Sequence, residues 1–123
     1  MADLASPEPF YSLTRRAGDM LYLSGFGPVD NLQVVGADIG AQTAVTMDLM
    51  TAALAAEQAR WEHVVRVNVF LLNMADRDGF NAAYMRYFEG VPRMPTRRLV
   101  GAGDMYKGIL VEIDAIAYLG DPA

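Results

Sequence analysis

Two charged side chains have the type and setting to carry chemistry. Arg97 follows Pro95 and Thr96, so it lies beside a proline-stiffened turn at the start of a short predicted strand. Its guanidinium can bind a carboxylate through two parallel hydrogen bonds. Glu112 interrupts an apolar predicted strand, where a carboxylate either pairs with a cation or serves acid–base chemistry. Asp114 shares its face, and the pattern alone does not choose between the acids. A surface ion pair also explains each residue.

Composition excludes several other kinds of site. The 123 residues include no cysteine and one histidine, His63, so thiolate nucleophiles, disulfides and two-histidine catalytic sites are ruled out and a metal site is disfavoured. The net charge of −5 disfavours nucleic acid as the main partner. We find no signal-peptide pattern and no apolar stretch of the ~20 residues that a membrane span needs. We therefore expect a cytoplasmic protein without a membrane partner.

Hydrophobic periodicity predicts alternating strands and helices in a single domain over residues 1–123. An extended segment is expected at residues 3–9 and a turn at 25–28. The predicted strands are residues 20–24, 34–35, 63–73, 96–100 and 109–118. The predicted helices are residues 41–59 and 76–88, the second capped by Asp76 or Asp78.

This order of elements predicts an α+β fold in which a mixed sheet carries two helices on one face. In the long strand at 63–73, one predicted face holds Val65, Val67, Val69 and Leu71. In the last strand, Glu112 and Asp114 lie opposite the apolar face. The second face of the sheet would be apolar and uncovered, so we expect the chain to associate with another subunit.

Together these segments resemble the RidA/YjgF family of reactive-intermediate deaminases, over roughly residues 9–118. Each matching segment is short, but all occur in the family's order. They are Pro9–Phe10–Tyr11–Ser12, Leu21–Tyr22–Leu23–Ser24–Gly25, Gln42–Thr43, the strand at 65–72, Asn81–Ala82–Ala83–Tyr84 with Tyr87–Phe88, Pro95–Thr96–Arg97, and the closing strand at 111–117.

The resemblance implies a chorismate-mutase-like fold, a homotrimer around a central barrel, and a site in each cleft between subunits. It implies hydrolysis of short enamine or imine acids, of the 2-aminoacrylate or 2-iminopropionate type, to 2-oxo acids and ammonia. No metal or organic cofactor is implied; the partners are a small carboxylate-bearing substrate and further copies of the chain.

The resemblance also assigns roles to residues. Arg97 stands where the family binds the substrate carboxylate, and Glu112, not Asp114, where it positions water. Tyr11 stands where a hydrogen bond to the carboxylate or the water is expected. The other matching positions line the cleft: Ser24 and Asn81.

Three positions depart from the family pattern. Phe26 replaces a polar residue and is expected to make the cleft more apolar, and Arg98 replaces a small residue. Leu99 replaces a common cysteine, whose backbone carbonyl helps to hold water in the family. These changes keep two alternatives open: a pathway-specific deaminase of a bulkier substrate (aminomuconate type), and a non-catalytic regulatory trimer that binds 2-oxo acids. A ribonuclease is disfavoured by the acidic charge and the lack of a histidine pair.

Overall fold

One five-stranded sheet and two helices form most of the fold. A computed structural model describes residues 10–121, and the predicted extended segment at residues 3–9 lies outside them. The strands are β1 (Thr14–Ala17), β2 (Met20–Phe26), β3 (Val29–Asp30), β4 (Gln33–Val34), β5 (Val64–Leu71), β6 (Thr96–Gly101) and β7 (Val111–Tyr118). The helices are α1 (Ile39–Ala56) and α2 (Arg77–Met85).

The sheet has the strand order β1-β2-β7-β5-β6, and β3 and β4 form a separate hairpin. β5 and β6 are parallel and connected through α2, whereas the other neighbouring pairs are antiparallel. Both helices bury side chains in a single core with one face of this sheet. The predicted α+β class is thus confirmed. The trimer and its central barrel stay predictions.

Alternation along the central strands builds the core. The helix-facing side chains of β7 and most of those of β5 are at most 1% exposed: Val67, Val69, Leu71, Val111, Ile113, Ala115 and Ala117. A register irregularity between Val64 and Arg66 breaks this alternation. As a result Val64 is buried, and Val65, predicted to share the face of Val67, is 44% exposed. That prediction was wrong because one irregularity reverses which side chain points inward.

Helix boundaries differ from the predicted ones for local reasons. α1 begins at Ile39 rather than at residue 41, because Asp38 Oδ1 accepts a hydrogen bond from the backbone N–H of Ala41 at 2.9 Å. It ends at Ala56 rather than at residue 59. The second helix is shorter than predicted, since 3₁₀ turns flank α2 on both sides. Asp76 occupies the N-cap position, as one of the two predicted alternatives has it, but forms no side-chain capping hydrogen bond, and Asp78 lies inside the helix.

The N-terminal half of the sheet was incompletely predicted. β1 was missed because its sequence, Thr-Arg-Arg-Ala, shows no hydrophobic alternation. β2 continues through Gly25 to Phe26, where a turn was predicted, and its pairing with β7 shifts register between Leu23 and Phe26. This irregularity matters for the site, because it changes the backbone around Gly25.

The open face is the side of the sheet opposite the helices. It carries polar and charged side chains beside apolar ones: Arg66, Asn68, Glu112, Asp114, Phe70 and Ile116. Asn68 Nδ2 donates a hydrogen bond to Asp114 Oδ1 at 2.8 Å. The expectation of an apolar face is therefore corrected to a mixed one.

Neither helix within residues 10–121 is long and apolar enough to cross a membrane.

The buried side-chain amide of Gln42 holds the segment that leads into β7. Gln42, near the start of α1, is 3% exposed. Its Nε2 donates to the carbonyl oxygens of Gly108 at 2.9 Å and Gly36 at 3.2 Å, and its Oε1 accepts from the backbone N–H of Leu110 at 2.8 Å. The carbonyl of Leu110 in turn accepts a bond from Leu72 N–H at 3.0 Å. Helix and sheet therefore both hold the chain just before Glu112.

Candidate active site

Arg97 lies on the edge strand β6 with its side chain on the helix side of the sheet. It is in register with the buried Val67 of the parallel neighbour β5, and residues in register share a face. Its Nη1 donates a hydrogen bond to Asn81 Oδ1 of α2 at 2.8 Å. The guanidinium also lies over the rings of Tyr84 and Phe80, 5.0 and 5.7 Å from their centroids. One helix thus fixes the arginine by an amide and two aromatic rings.

These four residues, Arg97, Asn81, Tyr84 and Phe80, form what we call the arginine cluster. None of the ion pairs among residues 10–121 involves Arg97, so its positive charge is balanced by no carboxylate of the described chain. Asn81 accepts one of the five N–H groups that a guanidinium can donate. Burial raises the pKa of Tyr84 to about 12, against the opposing charge of Arg97, so this ring stays neutral. The cluster is suited to bind an anion.

A depression of about 360 Å³ lies beside the guanidinium. Its walls combine the polar groups of the cluster with apolar side chains: Asn81, Tyr84, Met85, Met94, Pro95 and Arg97. That volume is at the lower end of small-molecule sites and accommodates an acid of a few carbons. Arg97 and Asn81, both predicted site residues, thus line one depression; their roles stay predictions.

Glu112 lies on the open face, two strands away from Arg97. It is in register with Phe70 of β5, while its neighbours Val111 and Ile113 point into the core. Its Oε1 lies against Gly25 of β2, where a side-chain carbon would overlap it. We call Glu112, Gly25 and the adjacent Ser24 the glutamate cluster. No side-chain hydrogen bond or ion pair to Glu112 occurs within the described residues.

The two acids of β7 are in different electrostatic states. Asp114 accepts the hydrogen bond from Asn68, which occupies one of its carboxylate oxygens. Burial raises the pKa of Glu112 above its ordinary value, and the negative charge of Asp114 adds to the rise. A carboxylate without a partner and with a raised pKa is the better proton acceptor of the two. This difference favours Glu112, as the resemblance does.

Tyr11 and Ser24, two further predicted site residues, belong to the N-terminal part of the fold. Tyr11 is 51% exposed and precedes β1. Its segment is tied to β2, since Ser24 N–H donates to the carbonyl of Leu13 at 2.8 Å. Ser24 Oγ is buried and has no hydrogen-bond partner among the described residues. It precedes Gly25, the residue that lies against Glu112.

Two of the predicted cleft residues face the core instead. Phe26 is 6% exposed and belongs to the hydrophobic core, because the irregularity in β2 turns its side chain toward the helices. The expectation that it lines the cleft is therefore corrected. Leu99 packs its side chain against the same core, so its backbone is the part that remains available to a ligand.

Arg97 and Glu112 of one chain cannot hold the same small acid. They point to opposite faces of the sheet, and β5 separates their strands, which places the strand axes roughly 10 Å apart. The sequence did not predict this separation, Phe80 was not singled out for the site, and Gly25 was placed in a turn. The four-residue spacing of Phe80 and Tyr84 was the available signal for a shared helix surface.

Among residues 10–121 no group of three or more histidine, aspartate or glutamate side chains is arranged to hold a metal ion.

Comparison with known proteins extends these observations. The family model described as Endoribonuclease L-PSP matches residues 3–119. Protein DfrA of Myxococcus xanthus is 41% identical over 103 residues, covering 82% of this chain and 77% of that protein. The 2-iminobutanoate/2-iminopropanoate deaminase of Dermatophagoides farinae is 30% identical over 118 residues, covering 93% and 91%. The crystal structure of E. coli TdcF with bound serine aligns with a TM-score of 0.84 at 25% identity, covering 93% of this chain and 91% of that one. The chain therefore belongs to the Endoribonuclease L-PSP family, which is the RidA/YjgF family that its sequence resembles.

Proposed function

We propose that the protein is a hydrolytic deaminase of short enamine and imine acids, active as a homotrimer in the cytoplasm. Each site would combine the arginine cluster of one subunit with the glutamate cluster of its neighbour. The observation that carries this proposal is a fixed guanidinium and a carboxylate on opposite faces of one sheet, neither of which forms an ion pair within residues 10–121. Opposite faces can form one cleft when a second copy of the chain is added.

Arg97 would bind the substrate carboxylate and so fix the position of the imine carbon, with Asn81 holding the guanidinium in place. Glu112 would accept a proton from the attacking water as the C–O bond forms. The same proton then goes to the nitrogen, which gives a carbinolamine. Its hydroxyl proton would follow to the nitrogen, again through Glu112, as the C=O bond forms and the C–N bond breaks. Ammonia leaves and a 2-oxo acid remains. Tyr11 would donate a hydrogen bond to the carboxylate or the water. Imine acid and water are the two reactants, and 2-oxo acid and ammonia balance them.

Two relatives support this choice of substrate. The Dermatophagoides farinae protein is named for deamination of 2-iminobutanoate and 2-iminopropanoate. TdcF is described with bound serine, a small amino acid that bears a carboxylate. The depression beside Arg97 suits ligands of that size.

The direct test is release of ammonia from 2-iminopropanoate generated in the assay by an amino-acid oxidase. We expect turnover by the wild-type protein and loss of more than about 100-fold in Arg97→Ala, because a bidentate carboxylate contact is removed. The matched control is Arg93→Ala, which removes an exposed arginine outside both clusters. Full activity of Arg97→Ala would contradict the assignment.

The intersubunit site has its own test. Arg97→Ala and Glu112→Gln are each expected to be inactive, and trimers refolded from an equal mixture of both should regain about one quarter of wild-type activity. In such trimers, random neighbours bring an intact Arg97 and an intact Glu112 together at that frequency. No recovery in the mixture would mean that both residues must come from one chain, which contradicts the proposed cleft.

The non-catalytic 2-oxo-acid binder is the second candidate, favoured by the unbalanced charge of Arg97. It predicts binding of pyruvate without ammonia release. A bulkier, aminomuconate-type substrate keeps less support, since Phe26 is in the core and Arg98 alone remains exposed as a departure. Relative turnover of short and long imine acids distinguishes these deaminases.

A further inference from the structure

The backbone conformation at position 25 does not require a glycine, although Gly25 occupies it. Several other glycines have a positive φ, the region that side chains disfavour: Gly18, Gly36, Gly90 and Gly108. Gly25 is not among them, so any L-residue could adopt its conformation. It lies within β2 at the register irregularity between Leu23 and Phe26, and it is exposed. The reason for the missing side chain must therefore be space.

The carboxyl end of Glu112 occupies that space. A Cβ added at Gly25 would overlap Glu112 Oε1 and lie 3.2 Å from Cδ and 3.5 Å from Cγ. These are the three nearest atoms, and all belong to one flexible side chain and none to the backbone. A methyl group at position 25 can therefore be accommodated when the glutamate rotates away. Such a change would move the acid while leaving the sheet intact.

We propose that Gly25 is a positioning residue, which fixes where the carboxylate of Glu112 lies by leaving a space for it beside β2. The inference rests on the proposed function of Glu112. Other contacts do not set this position, because no side-chain hydrogen bond or ion pair to Glu112 occurs among the described residues. The nearby acid acts differently: Asp114 is bonded to Asn68 and contributes a repelling charge.

Gly25→Ala is the variant that tests the proposal, and Gly103→Ala is its matched control. Gly103 is exposed, has no positive φ, and has nothing within 4 Å of an added Cβ. We expect Gly25→Ala to remain folded and to bind pyruvate as the wild type does, since Arg97 is untouched. Its kcat for imine hydrolysis should fall at least about tenfold, because misplacing a general base forfeits part of its contribution of roughly 10²–10⁴. Gly103→Ala should keep wild-type kcat.

A double variant separates positioning from general damage. In a Glu112→Gln background, Gly25→Ala should cause no further loss of kcat, because the acid whose position it disturbs is already absent. An equal further loss in that background would overturn the proposal. So would wild-type kcat in the single Gly25→Ala variant.

A titration keeps this inference distinguishable from the proposed function. Carbon-13 NMR of the glutamate carboxyl groups, with Glu112→Gln to assign the signal, follows Glu112 without any turnover. In Gly25→Ala its midpoint should move toward the ordinary value of 4.5 as the carboxylate leaves its buried position. An unchanged midpoint together with unchanged chemical shifts would overturn the positioning role, even if the protein proves not to be a deaminase. If the titration midpoint moves in Gly25→Ala but the wild type releases no ammonia, only the proposed function is contradicted.

Discussion

The arginine cluster fixes its charge by direct contacts, whereas the glutamate cluster gives its carboxylate no side-chain partner among residues 10–121. Arg97 is held by an amide oxygen at 2.8 Å and by two aromatic rings of the same helix. Glu112 is bounded by Gly25 and by partial burial, and Asp114 repels it. Removing contacts would loosen the first charge, while filling space would displace the second.

This difference corresponds to what each charge would have to do. A group that orients a substrate benefits from rigid contacts, because small misplacements of the reacting atoms cost rate. A group that accepts and returns a proton needs a lone pair that no neighbour occupies and a pKa closer to the working pH. The molecule therefore presents a cation held by contacts on one face of the sheet and an acid positioned by the space beside Gly25 on the other.

The largest effect should come from Glu112→Gln. The amide preserves size but cannot accept the proton, so kcat should fall by roughly 10²–10⁴. KM should change little, since Arg97 still binds the substrate. Steady-state ammonia release measures both constants, with the exposed Glu89→Gln as the control. Wild-type kcat in Glu112→Gln would mean that Glu112 is not the proton acceptor.

Arg97→Lys should lower kcat/KM by more than about 100-fold, although the charge is kept, because an ammonium cannot form the paired hydrogen bonds of a guanidinium. The affinity for pyruvate, measured by calorimetry, should fall in parallel. Arg93→Lys provides the matched exchange at an exposed position. Unchanged affinity in Arg97→Lys would mean that charge alone, and not a fixed geometry, defines the arginine cluster.

Asn81→Ala should have an intermediate effect of about tenfold on kcat/KM, the equivalent of one hydrogen bond to a charged group. The two aromatic rings still support Arg97 in this variant, so activity is reduced and not abolished. Asn73→Ala, at an exposed position before α2, is the control. A loss as large as that of Arg97→Lys would show that the amide, and not the rings, fixes the guanidinium.

The smallest effect concerns stability. The folded state raises the pKa of Glu112, so the unfolded chain loses this proton first as the pH rises, and ionisation then favours unfolding. Glu112→Gln should therefore be more stable than the wild type at about pH 7. The difference should become small at about pH 3, well below the ordinary value of 4.5, where the acid is protonated in both states. Urea denaturation at the two pH values measures it. A constant difference would indicate that burial does not disfavour the charge.

The sequence predicts the core better than it predicts the site. Alternating apolar residues identify the inward side of β7 correctly, because burial selects every second residue. Val65 was misassigned because a local irregularity leaves no sequence signal. The opposite orientations of Arg97 and Glu112 escaped prediction for a related reason. Which residues of neighbouring strands share a face depends on register, and register is set by tertiary contacts that one sequence does not reveal.

The candidate residues themselves were accessible through motif and family resemblance. Arg97 and Asn81, which it singles out separately, are hydrogen-bonded in the folded chain. Phe26 was misjudged because its place after Ser24 and Gly25 suggested a cleft, whereas the irregular backbone turns it inward. The role of Gly25 could not be inferred, since a missing side chain is informative only when its neighbours are known.

The hydrogen bonds of Gln42 have a consequence for how this chain can vary. They fasten the segment at Gly108 and Leu110 to the first helix, immediately before the strand that bears Glu112. Residues 102–107 lie upstream of that anchor and in irregular structure. Insertions or deletions there should be absorbed before they reach the acid. Length variation among relatives is thus expected in this loop, with the spacing from the anchored glycine to the glutamate kept constant.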